Sequence, residues 1–219
     1  MIIGTGNSIY HKMINNDFYE YLSKANKVVG IFGFQYYQKL LKKEKLFIKC
    51  MNRFDNIFLR YKQDMDFLNE IYLKNDIKIK YNINHLGDWL ILLFPNTIWF
   101  NNDCLNIISK EPFVRNAMDL YIQEIQMYRI VHSSRLHTLL CALCSAEMVS
   151  YEEQYEKDCT EKSGKFEGLL NDIFSTNFKE KELFIVDRKS VNNYRLLVSN
   201  NFDELKKYFN LLSTSIKIM

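Results

Sequence analysis

The chain has 219 residues, a net charge of +3 and an apolar content of 47%. That length suits one or two domains with a sizeable core, and 14 Tyr with 16 Phe exclude long disordered stretches. No basic stripe suited to a nucleic-acid duplex stands out, and no apolar run approaches the ~18 residues of a spanning helix, so neither nucleic acid nor a transmembrane segment is expected.

Ile2-Ile3-Gly4-Thr5-Gly6-Asn7-Ser8 reads as a short strand entering a glycine-bearing turn, with helical periodicity to about Leu22. Residues 27–34, rich in β-branched and aromatic side chains, form a second buried strand. A helix over 36–46, a strand over 56–60 ending at Arg60, a helix over 64–73 and a half-buried strand over 77–83 follow. The apolar run 89–94 comes after the turn His85-Leu86-Gly87-Asp88 and stops at Pro95. Between Pro95 and Pro112 the pattern assigns no element.

Met118, Ile122 and Ile125 give residues 114–128 the spacing of an amphipathic helix. Strands over 129–133 and 147–150 flank a helix over 136–144, and a helix over 166–174, a strand over 183–187 and a last helix over 201–212 complete the chain. The alternation predicts an α/β fold with a mostly parallel, Rossmann-like sheet and helices on both faces. Residues 1–95 would make an N-terminal α/β half and 96–219 a C-terminal one, unless the two form one continuous domain. The last segment, 187–219, would cover one face of the sheet. Ligands in such sheets sit beyond the carboxyl ends of strands, which points to residues 4–7, Gly33, Arg60, 133–137 and 151–153.

The five cysteines are odd in number and irregular in spacing, and the N-terminus lacks a charged region ahead of a long apolar core. The expectation is a cytoplasmic chain with free thiols. Cys141 and Cys144 lie in an apolar helical stretch and read as core residues, not a redox or metal motif. His11 and His85 have no partner at metal spacing, so no metal or cofactor is expected. The densest basic stretch, 39–45, reads as a solvated helix end, with a membrane-surface or nucleic-acid patch as the alternative.

His132-Ser133-Ser134-Arg135-Leu136-His137 joins a strand to a helix. Ser134 is placed to cap that helix, whose first N–H groups would face an anion. Arg135 adds a planar fork of donors for carboxylate or phosphate, and His137 a group that exchanges protons near neutral pH. Together they suit transfer from a phosphorylated donor. The competing reading pairs Arg135 with a structural carboxylate and leaves His137 in a polar niche. Gly6 and Asn7 offer a weak phosphate-loop signal. Glu153 could act as a base for an acceptor hydroxyl, and Tyr151 and Tyr155 could stack on a sugar ring.

Ser134-Arg135-Leu136-His137, with its preceding strand and following apolar helix, resembles the S-R-L-H element of the polysaccharide pyruvyl transferase family. Ile2-Ile3-Gly4-Thr5-Gly6, Val29-Gly30-Ile31-Phe32-Gly33, Phe58-Leu59-Arg60, Leu86-Gly87-Asp88 and Ser163-Gly164-Lys165-Phe166 fall in the same order as that family's other elements. Asp64 stands at the position of the family's serine, and Trp89 at that of its proline.

The resemblance implies a GT-B-like half, or a compacted version of that fold, with a cleft between two Rossmann-like halves. The implied activity moves a pyruvyl group from phosphoenolpyruvate to a sugar hydroxyl in bacterial surface polysaccharide assembly. Arg60, Arg135, Ser134 and Lys165, with Gly6 and Asn7, would hold the donor; His137 and Arg135 would be catalytic; Glu153 and Tyr151 would meet a saccharide or lipid-linked saccharide. About forty residues separate Leu93 from Arg135, too few for the opening units of a second half, so a dimer or another partner would rebuild the cleft. A nucleotide-sugar glycosyltransferase and a non-catalytic saccharide-binding relative are the alternatives.

Overall fold

Strand β2 (Val29–Phe34) is buried at five of its six positions and β3 (Asn56–Leu59) at all four, as continuous apolar runs require when both faces of a sheet are covered. The computed structural model describes residues 1–98, 102–107, 118–155 and 160–216, with backbone only at 5–8, 102, 105–107, 118 and 211–216. In its first part, β1 (Ile2–Ile9), α1 (Asn16–Ser23), β2, α2 (Tyr37–Leu41), α3 (Glu44–Met51), β3, α4 (Lys62–Lys74) and β4 (Asn82–His85) follow one another. The sheet runs β1-β2-β3-β4, all parallel. With strands in sequential order, right-handed crossovers place every connecting helix on the same face. Leu22 of α1, Phe47 and Met51 of α3, and Leu68 and Ile71 of α4 accordingly share one core with Phe32, Phe34, Ile57 and Leu59.

The second part comprises β5 (Asn102–Ile107), α5 (Met118–Gln126), β6 (Tyr128–Ser133), α6 (Leu136–Leu143), β7 (Met148–Tyr151), α7 (Lys165–Phe174), β8 (Phe184–Ile185) and α8 (Arg188–Ile216). Its sheet runs β5-β6-β7-β8, parallel except for the short antiparallel β8. Val131 and Val149 pack with the apolar faces of α5, α6, α7 and the first turns of α8. The α/β class, the parallel sheet and the helices are as the sequence predicts. Among the described residues no helix is long and apolar enough to cross a membrane.

Helix α8 joins the two sheets. Asp187 starts it by accepting from the Lys189 N–H (3.0 Å) and the Ser190 hydroxyl (2.6 Å). Its 29 residues reach ~44 Å at about 1.5 Å each. Val191, Tyr194 and Val198 sit in the second sheet's core, and Leu205 closes on Val29, Phe58 and Leu86 over the face of the first sheet that no crossover helix covers. Gly87 (φ 82°) lets the two meet, since a Cβ there would lie 2.5 Å from Val198 Cγ2.

The structure corrects several element boundaries. The expected helix over 36–46 divides into α2 and α3, and the strand expected over 77–83 forms at Asn82–His85. There Asn84 donates to Asn56 Oδ1 across the register (2.6 Å). The apolar run Trp89–Leu93, which the sequence pattern left without an element type, is a 3-10 turn, and the Arg195 guanidinium satisfies the carbonyls of Ile91 (2.5 Å) and Phe94 (2.8 Å). Gly4 and Gly6 lie inside β1, whose pairing with β2 shifts register at both, instead of in a turn beyond it. Strand β5 occupies a stretch where the sequence pattern assigned nothing.

Candidate functional site

The carboxyl ends of β3, β4, β6 and β7 deliver Arg60, Asp88, Arg135 and Glu153 towards the junction of the two sheets, and the first turn of α7 adds Lys165. Arg60 is buried, and its Nη1 lies 3.6 Å from Oδ2 of the fully buried Asp88. Burial is the strongest single influence and opposes the Arg60 charge, but Asp88, Tyr61 and Tyr194 together outweigh it and the guanidinium pKa rises. Among the described residues neither carboxylate oxygen of Asp88 has a hydrogen-bond partner, while its backbone N–H donates to the Tyr194 hydroxyl (2.7 Å). The acid beside Arg60 is thus Asp88. Asp64, the acid four residues beyond Arg60 in sequence, accepts instead from the Phe34 N–H (3.0 Å), the Tyr37 hydroxyl (2.7 Å) and the Tyr61 N–H (3.3 Å). Burial pushes the Asp64 carboxyl up to about 7 against those three donors.

Ser133, not Ser134, organises the entry to α6. Its hydroxyl accepts from the Arg135 N–H (2.9 Å) and donates back to the Arg135 carbonyl (3.1 Å), and Arg135 itself is the capping residue. Ser134 is buried and its carbonyl accepts from Gln154 Nε2 (2.7 Å). Gln154 also accepts from the Lys165 ammonium, so one side-chain amide ties the start of α6 to the start of α7.

Lys165 is half-buried. Burial pushes its pKa down to about 8, with Arg60 and Arg135 adding to the fall and Glu153 opposing it. His137 is exposed on one side. The protein packed around its ring lowers its pKa first, Arg60 and Lys165 push the same way, and Asp88 pulls it up. Arg60, Arg135, His137 and Lys165 are therefore close enough to feel one another, with Asp88 and Glu153 among them. Chemically, His137 favours the neutral form and can accept a proton. Lys165 can release one near neutral pH.

Glu153 is buried, and its Oε1 accepts from the Ser163 hydroxyl and the Gln154 N–H (3.0 Å). Burial raises its pKa. Tyr151 stacks on Phe166 (centroids 5.4 Å apart) and donates its hydroxyl to the Phe178 carbonyl (2.7 Å). Tyr155 donates to Glu180 (2.7 Å). Gly6 pairs with Phe32 inside β1, and the side chain of Asn7 lies outside the described residues. His132 Nδ1 meets Ser150 Oγ at 2.7 Å across β6 and β7. Cys141 and Cys144 are buried in α6 and just beyond it, whereas Cys159 lies outside the described residues. Among the described residues no cluster of three or more His, Cys, Asp or Glu could hold a metal.

Helix α7 seats the site by docking on the first part of the chain. Asp172 Oδ2 lies 2.9 Å from His85 Nε2, and its carboxylate accepts from the Lys62 N–H at the start of α4 (3.3 Å). Gly168 rides on the fully buried Tyr61 ring. This packing closes the junction, and the space beside Arg60 is only about 10 Å³. A ligand would consequently meet Arg135, His137 and Lys165 from outside, with the Arg60–Asp88 pair behind them. Sequence reasoning gave no role to Asp88 or Gln154. Asp88 had a usable signal, an acid three residues beyond a strand end, and Gln154 had none.

No protein-family model matches this chain, and no curated protein or solved structure shows significant similarity to it.

Proposed function

We propose that this protein is a transferase that takes a pyruvyl group from phosphoenolpyruvate and places it on a carbohydrate. The observation that carries this reading is the convergence of Arg135, His137 and Lys165, from the carboxyl edge of the second sheet, around the buried Arg60–Asp88 pair of the first. A trianionic donor needs several cations, and Arg135 and Lys165 supply two with Arg60 behind them. Lys165, with its lowered pKa, is suited to protonate the donor's methylene carbon. Neutral His137 is suited to take the proton of the sugar hydroxyl that attacks the adjacent carbon. Phosphate leaves, and a second sugar hydroxyl closes the ketal and releases its own proton.

Calorimetric titration with phosphoenolpyruvate is the test. Binding that disappears in Arg135→Ala, together with phosphate release when a saccharide is added, is the expected result. A response to a nucleotide sugar and silence towards phosphoenolpyruvate would overturn the assignment. A saccharide-binding protein without transfer is the second reading, favoured by the engagement of Arg60 with Asp88 in a closed junction.

A further inference from the structure

A second cavity lies away from Arg60. It has a volume of about 370 Å³ and opens between the end of β7, the outer side of α7 and the loop after it. Lys162, Lys179, Glu167 and Glu180 line it, two of each sign, so its walls select neither an anion nor a cation. Thr176 and Asn177 add a hydroxyl and an amide at its exposed rim. Tyr151, Leu170 and Phe178 supply apolar wall.

Each hydroxyl of a sugar both donates and accepts, and its ring carries C–H surface between them. A balanced set of donors and acceptors beside apolar wall matches that chemistry. The volume lies at the small end of ligand sites, the size for a single ring. Glu180 is held in place before any ligand arrives. Lys162 reaches it at 2.8 Å, Tyr155 at 2.7 Å and the Glu153 N–H at 3.1 Å. Burial works against its charge, but these donors hold its pKa down at about 2. A fixed acceptor spends less entropy on binding than a mobile one.

The same bonds connect the cavity to the cation cluster. The Glu153 N–H meets Glu180, the Glu153 side chain faces Lys165, and the adjoining Gln154 holds Lys165 and Ser134. We infer that this cavity binds one neutral monosaccharide unit, with Glu180 as its fixed acceptor. Its role as the acceptor subsite rests on the transferase reading above; the binding itself does not.

Amide-resolved NMR titration with methyl glucoside, methyl galactoside and N-acetylglucosamine tests the inference, with triglycine as the control. At least one sugar should shift the amides of Thr176, Asn177 and Lys179 in a saturating way, and triglycine should not. Thr176→Trp fills the cavity from an exposed rim position. It should weaken the sugar response roughly tenfold or more while leaving the far-ultraviolet dichroism unchanged. Shifts that map elsewhere, a response to no sugar, an equal response to triglycine, or full affinity in Thr176→Trp would each overturn the proposal. The two readings separate through phosphoenolpyruvate. Sugar binding with no phosphoenolpyruvate binding keeps the cavity and removes the transferase; phosphoenolpyruvate binding with no sugar response does the reverse.

Discussion

Replacing Gly168 by alanine tests whether α7 is seated on Tyr61 as described. An added Cβ would lie 3.0 Å from Tyr61 Cγ, 3.1 Å from Cδ2 and 3.3 Å from Gln63 Oε1. Ordinary carbon–carbon contacts start near ~3.5 Å, so about 0.5 Å of movement is demanded. The crowded atoms are at the base of a ring with no exposed surface, where rotation brings little relief. Overpacking of this kind costs about 1–3 kcal/mol. Glycine to alanine in a helix interior contributes about 1 kcal/mol the other way. The expected net effect is a loss of up to about 2 kcal/mol, read as a fall in Tm of ~2–4 °C per kcal/mol for a chain of this size. Thermal unfolding of the two proteins side by side measures it. A variant more stable than the parent by about 1 kcal/mol, the bare helix-propensity gain, would refute the close seating. The displaced α7 should also carry Lys165 outwards, so its pKa should rise from about 8 towards the ordinary lysine value, visible by NMR of the side chain.

Donor binding should weaken as pH rises past about 8, because Lys165 loses its proton there, and Lys165→Arg should move the decline to higher pH in a calorimetric pH series. Asp64 has a folded pKa of about 7, above its ordinary value of 3.8, so its contribution is fully present below 3.8 and is lost as pH climbs through about 7. Asp64→Asn should therefore flatten the stability profile over that window, as urea melts at a series of pH values would register. Arg60→Met and Asp88→Asn should each destabilise by about 3–5 kcal/mol, since each strands a buried partner, and the double variant should cost much less than their sum. Additive losses in that double-mutant cycle would mean the two groups are not paired.

The parts of the fold written in local patterns were legible in the sequence. Buried β2 and β3 are unbroken apolar runs, and α7 repeats its apolar residues at Phe166, Leu169, Leu170 and Ile173. The rule that ligands gather at carboxyl edges brought Arg60, Arg135 and His137 under one heading, the family resemblance alone added Lys165, and the four lie within electrostatic reach of one another. What stayed hidden depends on register and tertiary contact. Asp88 reaches Arg60 because β4 aligns His85 with Leu59, a relation no spacing along the chain encodes. Asp64 reads as a charge near Arg60 until its three donors are seen. The turn at Trp89–Leu93 took no element type from the sequence because the group that satisfies its carbonyls, Arg195, is about a hundred residues away in sequence. Gln154 joins two helix starts through a side-chain amide, which leaves no periodic trace.

The reach of α8 bears on the order of events during synthesis. Val29, Phe58 and Leu86 are made early, but the residue that closes over them, Leu205, is made late. At about 5–20 residues per second, roughly 6–24 s pass between the synthesis of Leu86, after the last strand of the first sheet, and that of Leu205. Throughout that interval the first sheet exists with one apolar face uncovered, a surface on which chaperones act and on which nascent chains can stick to one another. The covering of the first sheet thus waits for one helix made well after its strands.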